Sequence, residues 1–141
     1  MITSKNQTLS DNQKITADAR SQNVIDLGQT GTVYGADAAL DRDIGKGCPV
    51  PILIQVTEDF NNLTRLDVSL QVDSVENFAS PKTVVSSSIN LADLKAGRKV
   101  SFQYLPEGVD ERYLSVHYDV VGTAPSTGRV WAGIVAGHQT A

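Results

Sequence analysis

TRLDVSLQVDS, Thr64 to Ser74, decides the fold class. Leu66, Val68, Leu70 and Val72 fall on one side of an extended chain, and Arg65, Asp67, Ser69, Gln71 and Asp73 fall on the other. Successive side chains of a strand point to opposite faces, so this rhythm describes a strand with one greasy and one wet face. RYLSVHYDVV, Arg112 to Val121, repeats it with Leu114, Val116, Tyr118 and Val120 inward and Tyr113, Ser115, His117 and Asp119 outward. Arg129 to Ala136 differs: Val130, Ala132, Ile134 and Ala136 oppose Trp131, Gly133 and Val135, so both faces are apolar. Such a strand belongs near the middle of a sheet or beneath a neighbour.

Outward from these three, shorter pieces follow the same grammar. Pro51 to Thr57 is strand chemistry, and Asp59, Asn61 and Asn62 signal a turn, so it is expected to pair antiparallel with Thr64 to Ser74. Asn23 to Leu27, Lys82 to Ile89 and Arg98 to Leu105 read as further strands; Asn90 to Gly97, with Asn90 as cap and Gly97 as stop, allows about two helical turns. Six or seven short strands without a long helix predict an all-β fold, an antiparallel β-sandwich of the jelly-roll kind. Residues 23–141 are expected to form this single domain. Met1 to Gln22 is mostly polar, with isolated Ile2, Leu9 and Ile15, and reads as an extended N-terminal arm that frays or orders against a partner.

The 141 residues suffice for one core, and a net charge of −4 argues against nucleic acid as a partner. No apolar run at the start resembles a secretory signal, and none later approaches the ~20 residues of a membrane helix. Cys48 has no partner cysteine and is expected to be a small buried apolar side chain.

Gly28 to Gly47 is a long glycine-rich loop, with room for one helical turn at Ala36 to Leu40. Its end, DRDIGKGCPVPILIQV, Asp41 to Val56, superficially suggests a phosphate loop. The glycines lead into two prolines and a strand, so the helix N-terminus that would donate to phosphate is missing, and the stretch reads as a structural corner. His117 and Asp119 share a strand face without a third ligand; His138 has no partner that spacing can supply; Ser86 to Ser88 lack a nucleophile elbow. Asp41, Asp43, Glu58 and Asp59 do not follow calcium-loop spacing. Neither catalytic residues nor a metal are expected. Tyr34, isolated among glycines, is the best candidate for an exposed anchor, and Trp131 fills the core or anchors a subunit contact.

The segments NVIDLG (Asn23 to Gly28), RDIGKGCPV (Arg42 to Val50), ERYLSVHYDV (Glu111 to Val120) and STGRVWAGIV (Ser126 to Val135) resemble, in order and spacing, the capsid cement or decoration proteins of short-tailed phages of the Bordetella phage type. Gln29 to Leu40 looks longer than is usual there. The resemblance implies a jelly-roll-like protein on the outer surface of the virion head, made in the host cytoplasm. It would bridge subunits of the phage major capsid protein as a homo-oligomer, with a dimer favoured and a trimer possible. It implies no enzyme activity and no cofactor. Candidate capsid or subunit contacts are Lys5, Leu9, Tyr34, Asp37, Arg42 and Trp131. The alternative is a carbohydrate-binding β-sandwich module for receptor recognition, stacking sugars on Trp131, Tyr34 and Tyr113.

Overall fold

The computed structural model describes residues 2–138; Met1 of the expected arm and residues 139–141 of the expected domain lie outside it. Eight strands form: β1 (Thr3–Lys14), β2 (Ala19–Arg20), β3 (Ile25–Asp26), β4 (Ile52–Glu58), β5 (Leu63–Asp73), β6 (Lys82–Asn90), β7 (Tyr113–Gly122) and β8 (Arg129–Val135). One antiparallel sheet has the order β1-β8-β4 and the other β2-β7-β5-β6, with β3 following β2 along the same edge of β7. Residues 97–105 run antiparallel beside the free edge of β4, through bridges Gln55↔Lys99 and Pro51↔Tyr104 and the bonds Val100 N–H to Ile54 O and Leu105 N–H to Val50 O. With that segment as the last strand of the first sheet and β2 and β3 as one interrupted strand, the connectivity is that of a jelly roll.

The two strictly alternating segments meet in register. Leu66 lies opposite Val120, Val68 opposite Tyr118, Leu70 opposite Val116 and Val72 opposite Leu114. Facing them from the other sheet are Leu9, Ile52, Ile54, Val56, Val130 and Ala132, all in one buried cluster. Each fully buried aliphatic side chain contributes about 1.5–3 kcal/mol relative to exposure, so this interior is the main source of stability. One polar link crosses it: Tyr118 Oη lies 2.9 Å from Ser10 Oγ, which in turn donates to Gln13 Oε1 at 2.8 Å. Burial pushes the Tyr118 hydroxyl far above its ordinary pKa, so it stays protonated and donates to Ser10.

Four expectations are corrected. Most of the stretch expected as an arm is β1, paired with β8, and Leu9, Ser10 and Ile15 are fully buried. Its rhythm is hidden because the register shifts between Thr3 and Thr8, Thr8 and Ser10, and Ser10 and Gln13, and Asn12 takes a left-handed φ of 52°. Second, β4 pairs with β8, not with β5. Its run Ile52, Leu53, Ile54 is buried on both faces, which suits an inner position, and the Asp59–Asn62 link crosses between the sheets with Phe60 plugging the end. Third, the region after β6 holds a single 3-10 turn, Leu91–Asp93, without a side-chain cap from Asn90, and Ala36 to Leu40 holds only a bend at Asp37 and Ala38; Arg98 to Leu105 pairs with β4 as expected of a strand, though through isolated bridges and not a continuous ladder. Fourth, Cys48 is exposed. It follows Gly47, at φ 83°, and precedes Pro49 where the chain rounds the end of the sandwich.

Candidate functional site

β3, β5 and β8 run out at the same end of the sandwich where β4, β6 and β7 begin, as the pairings Asp26↔Tyr113, Asp73↔Tyr113 and Ile52↔Ile134 require. The connections there are residues 27–51, 74–81 and 106–112, flanked by residues 2 and 136–138; we call this end the crown. Six large apolar side chains are exposed among the described residues: Ile2, Val33, Tyr34, Leu40, Val75 and Tyr104. All six sit at the crown. The opposite end, closed by residues 15–18, 59–62, 91–97 and 123–128, has none. Scattered exposed apolar residues are ordinary, whereas their collection at one end marks a contact surface.

The base of the long loop is fixed. Arg42 donates from Nη1 to the Leu27 carbonyl and from Nη2 to the Gly28 carbonyl, each at 2.8 Å. Asp43 accepts from the amides of Gly45 at 2.9 Å and Gly108 at 2.7 Å, and the Ile44 amide reaches Val109 O at 3.2 Å. A Cβ at Gly45 would collide with the Pro106 carbonyl, so only glycine lets these two loops lie so close. Beneath them Arg112 grips Asp26 with two bonds of 2.9 Å. That hydrogen bond, aided by the Gly28 amide, lowers the Asp26 pKa to about 2 and raises that of Arg112. The Gly108 amide, against a burial penalty, likewise holds Asp43 below the usual carboxylate range. Above this base the Leu40 amide bonds Gly31 O at 3.0 Å and the Ala36 amide bonds Val33 O at 2.9 Å, leaving Tyr34 at the tip with relative exposure of 104%.

Of the expected contact residues, Tyr34 and Asp37 stand exposed on this loop and Lys5 is exposed on β1. Arg42 donates from both terminal nitrogens to backbone carbonyls, so it positions the loop. Leu9 is 0% exposed and belongs to the core. Trp131 is buried with Leu53 and Val135 in a small cluster on the outer face of the three-stranded sheet; Gly133 makes room, its absent Cβ falling 2.9 Å from Trp131 Cη2. Tyr34, Tyr113 and Trp131 therefore do not line one groove, and Tyr113 lies under the Arg112 guanidinium, 5.0 Å from the ring centroid. Sequence reading missed Ile2, Val33, Leu40, Val75 and Tyr104; for Val33, Leu40 and Tyr104 the nearby Gly, Asp or Pro was the available sign, and Ile2 and Val75 carried none.

The strand carrying His117 and Asp119 faces outward elsewhere. Burial first, then Asp18 and Asp67, pushes the Asp119 pKa up, while Asp18 Oδ1 accepts from the Val120 amide at 2.8 Å. No group of three or more His, Cys, Asp or Glu among the described residues is arranged to hold a metal. His138 Nε2 lies 2.6 Å from Gln103 O and its ring sits edge-on to Tyr104 at 5.4 Å.

A family model described as Bbp16 matches residues 9–135, from the middle of β1 to the end of β8. No curated protein matches the chain.

Proposed function

The chain belongs to the Bbp16 family, and from that premise we propose that it is a non-enzymatic cement protein of a phage head, docking through its crown on the outer surface and bridging neighbouring major capsid subunits. The observation that carries this reading is the gathering of all six exposed large apolar residues of the described chain at one end, three of them, Val33, Tyr34 and Leu40, on a loop tied to a rigid base. A binding surface held in shape before contact loses less entropy on docking than a floppy one. If the protein is a homodimer, two crowns act together, and the second contact forms at the high effective concentration that the first creates. Separating capsid subunits then requires breaking the bridge as well.

Pelleting with heads stripped of this protein tests the proposal. The chain should co-sediment saturably, and Tyr34→Ala should weaken binding by roughly tenfold or more, the usual scale for an aromatic anchor. Failure to co-sediment, or saturable binding to oligosaccharide in place of heads, would refute it. The mass in solution decides between dimer and trimer.

A further inference from the structure

The charges are distributed as unevenly as the apolar residues. Residues 26–51, 74–82 and 105–113 carry eight Asp or Glu and four Lys or Arg, a balance of −4 equal to the net charge of the whole chain. At the other end, residues 14–18, 58–62, 91–98 and 122–129 carry four of each. The crown's cations are largely committed: Arg112 to Asp26, Lys82 to Asp110 at 3.1 Å, and Arg42 to two carbonyls. Asp37, Asp41, Glu76, Glu107 and Glu111 take part in no ion pair among the described residues, and only Lys46 is similarly uncommitted on the cationic side. The exposed Val33, Tyr34, Leu40 and Val75 thus rise from the same loops as a set of unneutralised carboxylates.

From this we infer that the crown's receptor is a basic surface: a shallow apolar notch for the Tyr34 tip, rimmed by Lys or Arg side chains that meet the free carboxylates. This rests on the head-docking reading above and adds the chemistry of the surface that receives it. Charge complementarity steers encounter and rejects wrong partners, while the apolar centre supplies most of the affinity. A second copy of the crown is a poor partner, because it would set five free carboxylates against five. A neutral or acidic receptor would leave the same charges desolvated and unpaired.

The test is a set of binding isotherms on stripped heads at about 50 mM and about 300 mM NaCl, either side of the ionic strength at which the Debye length is about 8 Å. The samples are the wild type, the triple variant Asp37→Asn/Asp41→Asn/Glu76→Gln, and Tyr34→Ala. All four positions are exposed, and thermal melts check that each variant folds. Wild-type binding should weaken with salt, and the triple variant should lose about tenfold at low salt, as expected for several rim charges, with a much smaller deficit at high salt. Tyr34→Ala should lose affinity at both salts. If both variants bind heads like the wild type, head docking stands and the crown is not its surface. If the triple variant binds more tightly, the receptor is not basic and the inference fails. Gain of a larger solution mass by the triple variant, with loss of head binding, would make the crown a self-association surface and overturn it. No wild-type binding would bring down the inference and the reading beneath it together.

Discussion

Leu9→Ala distinguishes a structural strand from a detachable arm. Leu9 is 0% exposed and packs into the interior between the sheets. Truncating a buried leucine costs about 2–5 kcal/mol through lost transfer energy and the cavity left behind. β1 is an edge strand with three register shifts, so it can relax toward the gap, which places the cost near the middle of that range, about 3 kcal/mol. For a chain of this length each kcal/mol moves Tm by about 3–4 °C, giving a fall of about 10 °C. Lys5→Ala, on the exposed part of the same strand, should change stability by no more than about 0.5 kcal/mol. Circular dichroism melts of the two variants beside the wild type make the measurement. If Leu9→Ala melted with the wild type and instead lost head binding, β1 would be an arm ordered by its partner, and the packing argument would be refuted.

Arg42→Ala should speed amide exchange at Leu40 and its loop neighbours by at least about tenfold, since two charge-assisted bonds are worth more than 1.4 kcal/mol together, while Tm changes little; unchanged exchange would mean that Arg42 does not hold the loop. Gly128→Ala combines a φ of 137° with a clash against the Phe60 ring, so its urea midpoint should fall by an amount equivalent to more than about 2 kcal/mol, and a wild-type midpoint would contradict the close packing. The acid limb of stability has two opposed parts. The raised pKa of Asp119 means that its favourable contribution is complete below the unfolded value, about 4, and is lost as pH rises through the folded one, so Asp119→Asn should raise Tm at pH 7 and not below about pH 4. Asp26, lowered to about 2, contributes above about pH 4 and loses that contribution as pH falls toward 2, so Arg112→Ala should flatten this part of the profile. Melting curves across pH check both signs.

Legibility followed the regularity of each strand. β5 and β7 could be read residue by residue because they pair without a bulge from Arg65 to Asp73, keeping the two-residue period intact. β8 was readable as a central strand from its two apolar faces. β1 was not, because its bulges scramble the period and one of its fully buried residues, Ser10, is polar and is bonded both to Gln13 and to Tyr118, the latter more than a hundred residues away. Turn residues at Asp59 to Asn62 announce a reversal, yet carry no information on whether the chain returns in the same sheet. At the candidate site Tyr34 stood out because little core can exist among glycines. The role of Arg42 could not be read, since its acceptors are backbone carbonyls that carry no residue identity. The acidic excess emerged only when the topology brought three separate loops to one end.

The three-stranded sheet contains no pair of strands adjacent in sequence: β8 lies between β1 and β4, with Thr8 opposite Gly133 and Ile54 opposite Ala132. Every rung that joins β8 to β1 or β4 waits for residues 129–135 to be synthesised. Folding should accordingly be slow, on the millisecond-to-second scale of proteins dominated by distant pairings. Until then, β1 and the β8-facing edge of β4 lack their partner, a window in which they can pair with other chains.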